Sequence, residues 1–158
     1  IGSNGLTLYP FGNGSERMFN NSDIGTCFKN LNLNIHDHGH LFRAALEGIA
    51  FSFVYGMEIL MNDNFYPKLL RAGNDNLFQS DLFSNTISTL IDKEIEIYDS
   101  SGAYGAARAV GYDSNNFNSL SEKITKNDYV KTFEPINKKD SYLKAYHLWK
   151  ENLEKIIK

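Results

Sequence analysis

The segment Leu70-Arg71-Ala72-Gly73-Asn74-Asp75-Asn76-Leu77-Phe78 holds the residues best suited to chemistry. Lys68 to Gly73 reads as a short strand that ends in a glycine-containing turn and feeds a helix. Such a junction presents backbone N–H groups and a helix N-terminus to whatever sits above the sheet edge, a disposition that suits phosphates. Small side chains there let a flat ring or a phosphate approach the backbone. Taken alone, the segment has a simpler account: Gly73 makes the turn and Asn76 caps the next helix.

A second segment, Ser101-Gly102-Ala103-Tyr104-Gly105-Ala106-Ala107-Arg108-Ala109-Val110-Gly111, is a helix of small residues. Close approach to a neighbour is the commoner use of such a helix, and a slot for a planar base needs the same property. It is no phosphate loop, since the lysine and the Ser/Thr of that motif are missing. The loop Gly12-Asn13-Gly14-Ser15-Glu16-Arg17 sets an acid beside a base, either to line a cleft or as solvated surface charge. His36, His38 and His40 alternate, but Asp37 and the run after it look like a helix start, where positions two apart diverge. These histidines read as surface and capping residues, and His147 has no evident partner. Nucleophilic catalysis finds no support: Cys27 lies in an expected strand without an identifiable base, and no Gly-x-Ser-x-Gly elbow occurs.

The elements that must position these residues follow from periodicity. Leu6 to Pro10 alternates like a short strand, and Gly25 to Leu31 suggests a second. From Asp37, read as an N-cap, to about Met61 runs one long helix, apolar on most faces, with Arg43 and Glu47 as an i,i+4 pair. It reads as a buried core helix; Arg43, Glu47 and Glu58 interrupt it too often for a membrane span. Leu77 to Leu90 is a second amphipathic helix, and Glu94-Ile95-Glu96-Ile97-Tyr98 alternates as a half-exposed strand. Helix, strand, helix, strand, helix in order predicts α/β layering, with a parallel strand pair joined by a right-handed helical crossover. The stretch 112–137 is polar and weakly periodic, a surface loop with one helical turn near Leu120. Ser141 to Ile157 closes the chain as an amphipathic helix with Tyr142, Tyr146, Trp149, Leu153 and Ile156 on one stripe.

At 158 residues, 42% hydrophobic and 22% charged, the chain is large enough for one good core and is of ordinary globular composition. Its net charge of −3, with no Lys/Arg stripe, disfavours nucleic-acid binding. One cysteine builds neither an internal disulfide nor a cysteine-based zinc site, which fits a cytoplasmic protein. The start, Ile1-Gly2-Ser3-Asn4-Gly5, carries no secretory signal pattern and no Met, which raises the expectation of a piece cut from a longer protein.

Taken in order, these segments resemble the C-terminal part of the FGGY carbohydrate kinases, and most of all the xylulose kinases. Leu8-Tyr9-Pro10-Phe11-Gly12-Asn13-Gly14-Ser15-Glu16-Arg17 is similar to the family's loop ending in Gly-Glu-Arg. Leu41-Phe42-Arg43-Ala44-Ala45-Leu46-Glu47-Gly48-Ile49-Ala50 is similar to its helix with the pattern RA-x-x-EG-x-A. Arg71 to Phe78 and Gly102-Ala103-Tyr104-Gly105-Ala106-Ala107 supply two further matches, and the resemblance runs from about Gly5 to Gly111. Many relatives carry consecutive glycines where this chain has Ala72-Gly73-Asn74.

The resemblance implies an α/β actin-like ATPase (ribonuclease H-like) fold. Residues 1–158 would form part of the C-terminal domain, on the nucleotide side of the cleft, with the N-terminal domain outside this chain. It implies that Ala72, Gly73, Asn74 and Asn76 contact the nucleotide and that Gly102 and Gly105 line the adenine pocket. ATP and Mg2+ would be the cofactors and a small sugar the substrate, with neither nucleic acid nor membrane as partner. A homodimeric full-length enzyme stays open. The reaction implied is phosphorylation of a sugar hydroxyl, D-xylulose to xylulose 5-phosphate first, with glycerol, gluconate or rhamnulose kinases and a non-catalytic actin-like module as alternatives. None of the acids here matches the family's catalytic aspartate, so no catalytic residue and no metal ligand is assigned, and the isolated chain is expected to be inactive.

Overall fold

The computed structural model describes residues 1–13, 18–110 and 117–157. Strands β1 (Thr7–Phe11) and β2 (Gly25–Lys29) pair antiparallel, Tyr9 opposite Cys27. A second sheet has the order β3 (Leu70–Gly73), β4 (Ile95–Tyr98), β5 (Tyr129–Phe133). Five α-helices complete the described chain: α1 (His38–Asn62), α2 (Asp81–Ile91), α3 (Gly102–Ala109), α4 (Phe117–Asn127) and α5 (Lys139–Ile157). The architecture is mixed α/β. β3 and β4 run parallel with Gly73 beside Tyr98, and α2 connects them, as the alternating pattern predicts.

Helix α1 starts where Asp37 caps it. Asp37 Oδ1 accepts from the His40 backbone N–H at 3.0 Å, and His40 Nδ1 accepts from the Asp37 backbone N–H at 3.3 Å, a reciprocal box. His36 is also absorbed by local structure: its Nδ1 accepts from the Asn32 N–H at 3.1 Å, leaving Nε2 to donate to the Asn4 carbonyl at 3.3 Å. His36 and His40 are thus turn and capping residues, and His38 is an exposed residue at the start of α1. Among the described residues no three His, Cys, Asp or Glu side chains gather to hold a metal.

By length and composition α1 would pass for a membrane-crossing helix. Here it buries Ala44, Glu47, Gly48, Ala50, Phe51 and Val54, packing on β1 and α2. The expectation of burial on most faces is corrected: Phe42 is 71% exposed and Phe53 51%, because the described layers cover only one side. Glu47, at 2% exposure, is held by Arg43 Nε at 2.6 Å and by the Gly2 N–H at 3.1 and 3.0 Å from its two oxygens. A buried carboxylate is tolerable only with such partners. One residue on, a Cβ at Gly48 would press into the Leu8 carbonyl, so the Glu-Gly pair lets α1 lie directly on β1.

α5 packs beside α1 and reaches the same strand, β1. Trp149, fully buried, donates its indole N–H to the Leu8 carbonyl at 2.7 Å and stacks on Tyr9 with ring centres 5.4 Å apart. Phe11, Phe19, Phe51 and Tyr146 surround this pair and make the centre of the core.

Three other expectations are revised. Region 112–137 is no plain loop: α4 and β5 occupy most of it, and residues 111–116 lie outside those described. β5 is an edge strand held by pairing with β4 across 30 and more residues, support that local periodicity does not report. The second helix begins at Asp81, capped by the Ser80 hydroxyl, and residues 76–79 form a 3-10 turn before it, so Asn76 is not its cap.

Candidate functional site at the carboxyl ends of β3 and β4

Parallel strands joined through a helix bring their carboxyl ends to one edge, where ligands of open α/β sheets bind. Gly73 closes β3 and Tyr98 closes β4 in direct register. The Asn74 N–H donates to the Tyr98 carbonyl at 2.7 Å, extending the ladder by one residue, and the Asn74 carbonyl accepts from Gln79 Nε2 at 3.1 Å. After Tyr98 the chain turns through Asp99 and Ser100, and the Ser101 hydroxyl caps α3 by accepting from the Tyr104 N–H at 3.3 Å.

Two cavities flank this edge. The smaller, about 330 Å3, lies over the strand ends and is lined by Ala72, Gly73, Asp75, Tyr98, Ser101 and Gly102, among others. The larger, about 490 Å3, runs between β3, α1 and α2; Ala72, Gly73 and Asn76 line it beside Phe53, Phe78 and Phe83. The structure therefore brings Ala72, Gly73 and Gly102 to one cleft. Asn76, at φ 47°, opens onto the larger cavity only, and Asn74 contributes through its backbone. Gly105 lies farther along α3, outside either lining. Asp75, Tyr98 and Ser101 were not singled out from sequence as cleft residues; the strand-turn-helix pattern after Tyr98, repeating that after Gly73, was the available signal.

Glycine at 73 has a specific reason. A Cβ there would overlap the Ser100 carbonyl, so the turn after β4 can lie against β3 only if position 73 has no side chain. At Gly102 and Gly105 a Cβ would meet nothing within 4 Å, and no residue of α3 is buried. The small residues of α3 thus pack against no neighbour among the described residues, contrary to the packing account. What anchors the helix is Arg108, which pairs with Asp128 and lies 4.4 Å from the centre of the Tyr104 ring.

Arg71 and Asp75 are charged residues of the cleft lining, and Arg71 is paired with Glu96. Glu96 Oε2 accepts from the Tyr98 hydroxyl at 2.5 Å and from Arg71 Nε at 3.0 Å, which together hold its carboxyl below the usual range. Desolvation, with the bond to Glu96, raises Tyr98 above the ordinary tyrosine value, so its hydroxyl remains a donor at neutral pH. The Gly14-to-Arg17 end of the first loop lies outside the described residues; Gly12, its described beginning, sits against Thr26.

No family model and no curated protein matches the sequence. Solved structures do. Xylulose kinase from Rhodospirillum rubrum superposes with a TM-score of 0.76 at 20% identity, covering 99% of this chain and 31% of that one. The fold is that of a carbohydrate-kinase segment. Plasmodium falciparum glycerol kinase with ADP gives 0.74 at 21% identity, and gluconate kinase from Lactobacillus acidophilus 0.71 at 21%. The chain spans about a third of the length of each of these carbohydrate kinases, so the likeness covers only part of their fold.

Proposed function

We propose that this chain is the nucleotide-side, C-terminal segment of an FGGY carbohydrate kinase with an actin-like ATPase fold, which transfers the γ-phosphoryl of ATP to a sugar hydroxyl. The observation that carries this reading is the cleft at the carboxyl ends of β3 and β4, where Ala72, Gly73 and Gly102 converge without side chains beyond a methyl. The likeness to xylulose, glycerol and gluconate kinases supports it. D-xylulose is the first-choice substrate, and the cytoplasm suits a kinase with a single free cysteine.

The residues present fit ATP. The open space over Gly102 and Gly105 admits a planar ring along α3, and the capped N-terminus of that helix offers N–H groups and a favourable dipole to a phosphate. Ala72 and Gly73 would let phosphate oxygens reach the β3 backbone. Mg2+ usually binds through substrate phosphates and one or two carboxylates; Asp75 is the carboxylate on both cavities. When bound, the ion neutralises charge on the transferring phosphoryl. What this chain contributes is positioning: a rigid strand edge and helix start that hold the nucleotide in line for attack. The base for the sugar hydroxyl and the sugar pocket belong to the remainder of the enzyme.

The test is turnover by the full-length protein on a panel of D-xylulose, glycerol, gluconate and L-rhamnulose, with ADP release as the readout. Saturable release with one of them is expected, and none from the 158-residue chain alone. Failure of the full-length protein to phosphorylate any sugar or polyol, alongside retained ATP binding, would favour the non-catalytic module.

A further inference from the structure

Arg71 stands between the two cavities at the strand ends and lines both. Its side chain is 55% exposed, yet it is held in place. Nε donates to Glu96 Oε2 at 3.0 Å across the parallel pair, where Arg71 and Glu96 are in direct register. The guanidinium carbon lies 5.6 Å from the centre of the Tyr98 ring, and the Tyr98 hydroxyl fixes Glu96 in turn at 2.5 Å. This arrangement uses one N–H of the guanidinium. Its terminal nitrogens make no hydrogen bond among the described residues and keep their coplanar donors free. Glu96 lines neither cavity, so the cavities meet the cation of the pair and not its anion. Asp75 carries the opposing charge in both linings.

We infer that Arg71 binds a phosphate of the nucleotide, its terminal nitrogens donating to phosphate oxygens while Nε stays on Glu96. The inference rests on the nucleotide reading of this cleft and adds to it the side chain that fixes the anion. Ala72 and Gly73 carry no charge and supply only room for it. A planar, permanently charged fork matches two oxygens of one phosphate, which a point-like ammonium does not. Arg71 and Asp75 together favour a ligand that brings an anion and a divalent cation to the same cavity. Glu96 and Tyr98 act as positioning residues, since they orient the guanidinium that touches the ligand.

ATP and adenosine are the probes, each titrated calorimetrically with Mg2+ into the full-length protein. Arg71→Ala should weaken ATP about tenfold and leave adenosine unchanged, because the lost bonds go to phosphate alone. Residue 71 is exposed, and a surface ion pair of this kind adds little to stability, so alanine there leaves the fold intact. Arg71→Lys keeps the charge without the fork and should fall between alanine and wild type. ATP affinity should also decline more steeply with added salt in wild type than in Arg71→Ala. Equal ATP affinity in wild type and Arg71→Ala overturns the inference. So does an equal loss of ATP and adenosine, which would make Arg71 a support of the cleft and not a phosphate ligand. Wild type that binds neither ATP nor adenosine overturns the nucleotide reading, and this inference with it.

Discussion

Gly73 and Ser100 are packed so closely that the Ser100 carbonyl occupies the space a Cβ on residue 73 would need. The end of β3 and the turn after β4 are thereby locked together, and the smaller cavity opens above that lock. Two properties meet at one residue: the backbone approach proposed for a nucleotide, and the fit of one loop on one strand.

Gly73→Val is expected to weaken nucleotide binding by the full-length enzyme and also to destabilise it, by about 1–3 kcal/mol, as overpacking does. Gly73→Ala separates the two, since a methyl already meets Ser100 but projects little into the cleft. A chemical-denaturation midpoint lowered by both variants, with nucleotide affinity lowered more by valine, is the expected pattern. Equal nucleotide dissociation constants for wild type and valine would remove Gly73 from the site.

Gly105→Ala provides the complementary probe. No atom lies within 4 Å of the added methyl, and the position is inside α3. Alanine should therefore stabilise the helix by about 0.5–1 kcal/mol. If a planar base lies along α3, the same substitution lowers nucleotide affinity in the full-length enzyme. A more stable protein with undiminished affinity would place the base elsewhere.

Trp149→Phe should cost about 2–4 kcal/mol of stability. It deletes the bond to the Leu8 carbonyl, leaving a buried acceptor unmet, and opens space against Tyr9, Phe11 and Phe51. Thermal unfolding followed by circular dichroism is sufficient to check it; a loss below about 1 kcal/mol would mean the indole N–H is replaceable by solvent.

Glu96 predicts an acid-dependent term. Its bonds from Tyr98 and Arg71 lower its folded-state pKa below the ordinary value of 4.5. A depressed carboxylate favours the folded state above the unfolded-state pKa, and that contribution disappears as pH falls through the folded one. Stability of the wild type should thus drop more steeply with acid, below about pH 4.5, than that of Glu96→Gln. Parallel urea midpoints for the two proteins across that range would show that the carboxylate contributes nothing.

What the sequence determined by itself is local or periodic. Asp37 with His40, and Arg43 with Glu47, are three- and four-residue relations on one helix, so their pairing follows from helical geometry. The parallel pair β3 and β4 follows from the strand-helix-strand order, and the glycine turn after β3 from composition, so the candidate cleft was already visible as Ala72 and Gly73. Tertiary structure decided the rest, because those relations join residues whose separation carries no periodic signal. Which side of α1 is buried depended on where β1 and α2 land, and β5 exists through its pairing with β4. The reason for glycine at 73 lies 27 positions away in a carbonyl at Ser100, and the Trp149 indole finds its acceptor 141 residues back at Leu8. Such contacts are set by packing in three dimensions, where neighbours along a chain and neighbours in space part company.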